Sequence, residues 1–258
     1  VSSPTMWSGG RYQAVGERIA HIAGQVVDAV GRRRPLPGAE VVDLACGTGA
    51  AALAAAARGA RVTGVDITPA LLAIAGQHDT GNTVTWQTGD AADTGLPAAS
   101  FDAAVSNMGI IFVEPDRQVA EINRLLKPAS VLAFSAWMRD VDNPLHDPVV
   151  SVLGPPPATG FTPDQWGDTD VVTDRLAPFY DDIELHHGVH HWEFASMAAA
   201  LHFLCEESPV HVETFRRVDV ATRQRLASAF EVALRPYVVA GGAVAFATPY
   251  VVVSAQRA

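Results

Sequence analysis

Apolar positions recur every three or four residues along 12–30, where Val15, Ile19, Ile22, Val26 and Val30 fall on one face. That period predicts an amphipathic helix, ended by Gly31, three arginines and the Pro35/Pro37 pair. The ten residues before it carry no period, and Trp7 is their one large apolar anchor. From Glu40 onward the pattern alternates between short aliphatic runs and helical stretches. Strands are predicted at 40–44, 61–65, 83–87, 101–106 and 131–137. Between them lie an alanine-rich helix at 50–58, a helix begun by Thr68-Pro69, with hydroxyl at the N-cap and proline at the first position, and a helix opened by Pro115 and closed by Pro128. Such alternation is the signature of a parallel sheet with crossover helices.

The pattern breaks over 138–166, where HDP, GPPPATG and FTP are turn-forming. A long irregular stretch inside a domain is commonly a lid or binding loop. Beyond it, Asp168 is placed to cap a short helix to about residue 176, 182–194 alternates as a strand, and 196–207 reads as a helix. Asp219 starts another helix, Gly241-Gly242 turns into 243–247, and 250–255 makes a last strand.

Composition narrows the picture. At 258 residues with 48% apolar content, the chain suits one large α/β domain, with residues 1–36 as an N-terminal cap helix and 138–166 and 195–240 as lid segments. No uncharged apolar run reaches the roughly 18–20 residues of a membrane span, and no signal-peptide pattern is present, so a cytoplasmic protein is expected. Cys46 and Cys205 make neither a metal spacing nor a disulfide framework, and both are expected to be reduced and buried. A net charge of -10 argues against a nucleic-acid partner and for a small molecule. The basic run Arg32-Arg33-Arg34 reads as a solvated helix end.

The chemistry gathers in 40–75. Gly47-Thr48-Gly49 follows the first strand, where the backbone must turn sharply and a ligand can approach it closely. Asp66 closes the second strand, where it would accept from a ribose. Asp43, Asp66 and Asp90 recur 23 and 24 residues apart, about one strand–helix repeat each, at the carboxyl edge where open α/β sheets bind ligands. Three carboxylates suit a ligand rich in hydroxyl, amino and amide donors. Gly47-x-Gly49-x-x-Ala52 also fits the relaxed dinucleotide fingerprint, so an NAD(P)-dependent oxidoreductase stays open, although Asp43 and Asp90 would repel a pyrophosphate. The run His186–His191 places His187 and His191 on one strand face and His186 and His190 on the other. Two imidazoles per face do not complete a metal site, so exposed histidines are expected and no metal. His190 or His191 at a substrate pocket stays open.

VVDLACGTG, VTGVDITPALL, TGDAADTGLPAASFDAAVSNMGIIF and EINRLLKP, in this order, resemble the successive motifs of class I S-adenosylmethionine-dependent methyltransferases. The likeness is to the ubiquinone/menaquinone-methyltransferase-like branch, which acts on small molecules. It covers about residues 7–194, and the final ATPYVVVSAQR is also similar. The resemblance implies a Rossmann-like α/β fold, a seven-stranded, mostly parallel sheet with helices on both faces and an antiparallel last strand. It implies S-adenosyl-L-methionine as methyl donor and S-adenosyl-L-homocysteine as product. Asp43 and the backbone of Ala45, Cys46, Gly47, Thr48 and Gly49 would hold the methionine portion. Asp66 would take the ribose hydroxyls, with Ile67 on the adenine. Asp90, after Gly89, would accept from the adenine amino group and Ala91 would donate from its backbone. Asn107, Met108 and Gly109 would line the methyl-transfer side, and Tyr12, in a W-x-x-G-x-Y pattern, would close over the methionine end. The branch's usual Pro-Gly-Gly is here Pro128-Ala129-Ser130, a departure at that turn.

The expected reaction is methylation of a small cyclic or aromatic metabolite at oxygen, with carbon or nitrogen as alternatives. A non-catalytic S-adenosylmethionine-binding protein is the further alternative, and a homodimer is left open. The loop after the fifth strand offers His146 and Asp142 as candidate bases, with Asp147 beside His146. Trp137, Phe161, Trp166, Trp192 and Phe203 are positioned either to receive a flat acceptor or to serve as core.

Overall fold

A computed structural model describes residue 7 and residues 10–139, 142–155 and 160–258. The parts of the irregular N-terminus and of the 138–166 stretch not in that set lie outside the described residues. The first helix, α1 (Tyr12–Arg33), buries Ile19, Ile22, Val26 and Val30 against the sheet. It runs through Gly31 to Arg33, because the arginines there have partners rather than solvent. Arg33 donates to the Asp182 carbonyl and to Ser254 Oγ, and Arg34 to the Asp102 carbonyl and carboxylate. The solvated helix end expected from the sequence is thus a tie between α1 and the sheet.

The alternating segment follows in order as β1 (Glu40–Leu44), α2 (Ala50–Ala56), β2 (Arg61–Asp66), α3 (Pro69–His78), β3 (Val84–Thr88), β4 (Phe101–Asn107), α4 (Pro115–Leu125) and β5 (Leu126–Trp137). Thr68 precedes α3 as expected, but its side chain makes no cap hydrogen bond. The strand β5 starts five residues earlier than the aliphatic run because Ala129 takes φ +56°, the left-handed angle a glycine would supply, and so keeps the 128–130 turn within the strand. After it come α5 (Asp147–Leu153), a helix the sequence pattern does not signal, and α6 (Thr169–Leu176), capped by the Asp168 carboxylate. Then follow β6 (Tyr180–Phe194), α7 (Met197–His202) continuing into a π-turn at Phe203–Glu207, α8 (Pro209–Arg216), α9 (Val220–Leu234), capped by Asp219, and β7 (Val244–Arg257).

The sheet order is β3-β2-β1-β4-β5-β7-β6. Every strand runs parallel except β7, which is inserted antiparallel between β5 and β6. The two short runs at 243–247 and 250–255 are one strand. Pro249 does not break it, because β5 ends at the Trp137–Tyr250 pair and the missing N–H stands beyond that end. Strand order reverses between β1 and β4, which opens a crevice at their carboxyl ends.

Two apolar clusters result. The larger sits between the sheet and its helices. The second joins Trp192, Phe194, Phe246 and Val244, on the parts of β6 and β7 that outrun β5, to Phe203, Leu204, Phe215, Leu226, Phe230 and Leu234 of the C-terminal helices. Trp192 and Phe203 therefore belong to this second core, and Trp166 packs edge-on against Phe134 in the first. No helix among the described residues is long and apolar enough to cross a membrane.

Candidate functional site

The crevice between β1 and β4 holds an open cleft of about 520 Å³, lined by Tyr12, Ala45, Gly47, Asp66, Ile67, Leu71, Asp90, Ala91, Met108 and Gly109, with Trp7, Phe112 and Val113 at its apolar side. A smaller recess of about 280 Å³ adjoins Tyr12, Gly16, Ile19, Asp43, Cys46, Thr48, Ala50, Ala51 and Asn107. Tyr12 lines both. Most residues expected at a cofactor site thus converge here. Gly49 and Gly89 line neither space: Gly49 turns the chain into α2 at φ +86°, and the Gly89 N–H donates to the Asp66 carbonyl.

The turn is built by its carboxylates. Asp66 Oδ2 accepts the Gly47 N–H at 2.8 Å and Oδ1 accepts the Thr68 N–H at 2.8 Å, so the end of β2 fixes the glycine turn after β1. Gly47 sits at φ +55°, and a Cβ there would lie 3.0 Å from the Tyr12 ring; only glycine lets that ring rest on the turn. Asp43 Oδ2 accepts the Ala52 N–H at 2.8 Å, at the N-terminal turn of α2 where a negative charge is favoured. Its Oδ1 is buried without a partner. Asp90 Oδ1 accepts the Ala92 N–H, and its Oδ2 faces Arg117 at 3.4 Å.

Burial dominates the electrostatics. It pushes the Asp43 carboxyl up to about 8, against the lowering effect of the Ala52 N–H and with a further push from Asp66. Burial also raises Asp66, opposed by the N–H groups of Gly47 and Thr68. Tyr12 and Cys46 are held above their ordinary values by burial and by the neighbouring acids. Among the described residues neither Asp43 nor Asp66 has a cation partner, whereas Asp90 faces Arg117, and Asp43 presents an unpaired oxygen. A ligand bearing a positive charge and several donors fits that electrostatic shape, and a pyrophosphate does not.

Asn107 ends β4 with its Oδ1 accepting from Ser135 Oγ at 2.8 Å, while Ser135 also accepts the Met108 N–H at 3.0 Å. Met108 is held at φ +56° beside Gly109, whose Cβ position is filled by Ala45. Trp7, Phe112, Val113 and Leu71 complete the cleft and were not singled out as site residues by motif. Their signal was adjacency, since Trp7 opens the W-x-x-G-x-Y pattern and Phe112 closes NMGIIF. The Trp7 ring meets Phe112 edge-on at 4.7 Å and Tyr12 at 6.0 Å.

His146 and Asp142 are exposed, and neither lines either space. His146 stands at the start of α5, where Asp147 accepts the Asn143 N–H. Of the histidine run, His186, His187 and His191 are exposed as expected, but His190 is only 4% exposed. Its ring stacks on His21 at 5.2 Å and meets Trp192 edge-on at 4.6 Å, which draws it into the junction of the two cores. Among the described residues no group of three or more His, Cys, Asp or Glu is placed to hold a metal. Cys46 is buried and Cys205 half-buried, both unpaired.

Residues 42–134, from β1 into β5, match the family described as "Methyltransferase domain". Together with the seven-stranded sheet, this match over about a third of the chain supports a class I S-adenosylmethionine-dependent methyltransferase with S-adenosyl-L-methionine as its cofactor. The chain is similar to the nocamycin O-methyltransferase of Saccharothrix syringae, 35% identical over 128 residues, 46% of this chain and 44% of that protein. It is also similar to the ubiquinone/menaquinone biosynthesis C-methyltransferase of Rubrivivax gelatinosus, 37% identical over 127 residues, 46% of this chain and 50% of that protein. A putative type II methyltransferase from Anaeromyxobacter dehalogenans shares the fold with a TM-score of 0.57 at 24% identity, over 90% of this chain and 95% of that one.

Proposed function

We propose that this chain methylates an oxygen atom of a small cyclic or aromatic metabolite, with the donor seated in the β1–β4 crevice. The observation that carries the seating is the unpaired, buried Asp43 oxygen beside the Gly47 turn. Asp43 and the backbone of Ala45–Gly49 would hold the methionine end under Tyr12. Asp66 would receive the ribose hydroxyls on the lone pairs its two backbone bonds leave free. Ile67 and Leu71 would flank the base, with Asp90 and Ala91 at its edge. S-adenosylmethionine, when bound, supplies a methyl group already activated on a positively charged sulfur.

The protein's part is then alignment and exclusion of water at the Asn107–Gly109 end. The apolar side formed by Trp7, Phe112 and Val113 supports a flat acceptor lying there. Residues 138–166 and 195–240, with the cap of 1–36, would choose that acceptor within a single 258-residue domain. Similarity to an O-methyltransferase supports oxygen; the C-methyltransferase relative supports carbon as the second reading. Isothermal titration with S-adenosylhomocysteine tests the seating. Transfer of labelled methyl to a panel of phenols and quinols, with product mass and position assigned, tests the acceptor. Loss of binding in Asp66→Ala is expected, and unchanged binding overturns the assignment.

A further inference from the structure

One face of α4 holds the whole loop that follows β3. Arg117 faces the Asp90 carboxylate at 3.4 Å, Gln118 Nε2 donates to the Ala91 carbonyl at 3.0 Å, and Glu121 accepts from the Thr94 N–H and hydroxyl at 2.9 and 2.6 Å. Residues three and four apart on a helix share a face, so 117, 118 and 121 grip 90, 91 and 94 in register. The middle grip differs from its neighbours. Gln118 is fully buried, and its Oε1 has no partner. An unpaired buried carbonyl works against the fold, and an apolar side chain of the same length would remove it only by leaving the Ala91 carbonyl without its donor.

What the amide supplies is direction. The peptide joining Ala91 to Ala92 is held at its oxygen by Gln118 and at its N–H by Asp90 Oδ1. One peptide plane therefore ties the Asp90 carboxylate to α4. Asp90 and Ala91 both line the cleft, whereas Gln118 does not. We infer that Gln118 is a positioning residue that sets the angle at which Asp90 and Ala91 meet the purine edge of the cofactor, and so sets the preference for a 6-amino over a 6-oxo purine. This rests on the proposed seating of the cofactor.

The test compares wild-type protein with Gln118→Met, which keeps length and burial but cannot donate. Affinities for S-adenosylhomocysteine and S-inosylhomocysteine are measured by isothermal titration, and ligand-free melting temperatures alongside. The variant removes the unpaired Oε1 but also leaves the Ala91 carbonyl without its donor, so the melting temperature reports stability alone. The variant is expected to bind S-adenosylhomocysteine about five- to tenfold more weakly, and to lose a large part of the discrimination against the inosyl compound. A merely structural role would leave the ratio of the two affinities unchanged whatever the melting temperature does, and that result overturns the inference. Equal affinities in variant and wild type overturn it while leaving the cofactor site intact. Failure of the wild type to bind S-adenosylhomocysteine overturns the seating and this inference together.

Discussion

Replacing Asp43 by asparagine separates the two tasks that residue has been given. The amide oxygen can still accept the Ala52 N–H, so the start of α2 keeps its partner, but no charge can form at the position of Oδ1. In the ligand-free protein the carboxyl titrates at about 8, so ionising it at pH 7 costs about 1.4 kcal/mol. Removing one partner from a buried, hydrogen-bonded charge pair costs about 3–5 kcal/mol. Subtracting the ionisation cost that the variant escapes leaves about 1.6–3.6 kcal/mol, or roughly a fifteen- to four-hundredfold loss of affinity for S-adenosylhomocysteine. Titration calorimetry in buffers of different ionisation enthalpy reads this directly, because the wild type is expected to release a proton on binding at pH 7 and Asp43→Asn is not. The ligand-free proteins add a sign check. A carboxyl raised from 3.8 to about 8 gives the folded state an extra proton between those values, so wild-type stability falls as pH rises through that window. Urea midpoints of Asp43→Asn at pH 6 and pH 8 are expected to show less of that fall. Binding as tight as wild type, with the same proton release, would refute the reasoning.

His190 titrates at about 4 because it is buried, with His21, His191 and Arg18 adding like charge. Its contribution is complete above pH 6.5 and is lost as pH falls towards 4. The loss is up to about 3 kcal/mol in urea denaturation, and His190→Phe is expected to flatten that slope. Ala129→Gly relieves a left-handed alanine and, after the added flexibility of the unfolded chain, is expected to stabilise by about 0.5–1 kcal/mol, read as a higher urea midpoint at unchanged slope. His146→Ala is expected to leave both S-adenosylhomocysteine affinity and methyl transfer within about twofold of wild type, since the side chain is exposed and outside both spaces; a hundredfold loss of turnover would make it a base.

The crevice proposed for the cofactor was readable because its chemistry is local. Asp66 ends β2, and Asp43, Gly47 and Asp90 lie within three residues of the ends of β1 and β3, strands that their hydrophobic runs mark, and a strand end in a parallel sheet has one place to go. Legibility failed where long-range contact decides. Nothing near Arg33 and Arg34 says that Asp182, Ser254 and Asp102 wait for them across the sheet. His190 sits in a run of four histidines, and only pairing with Thr248 of β7, under α1, buries it while its neighbours stay wet. The helix α5 escaped because it is seven residues long and rich in valine, which favours strands.

The placement of β7 has a consequence for how the molecule is made. Among the described residues β6 pairs with β7 alone and reaches β5 only through it, so no strand pairing joins β6 to the rest of the sheet until β7 exists. That strand begins 50 residues after β6 ends, at Val244 against Phe194. At about 5–20 residues per second, a nascent chain carries β6 unpaired for roughly 3–10 seconds. Its alternate residues Trp192 and Phe194 are then exposed, and the helices that will share their core emerge in the interval. During synthesis this interval leaves an unpaired strand with apolar side chains exposed, and chaperone engagement is expected there.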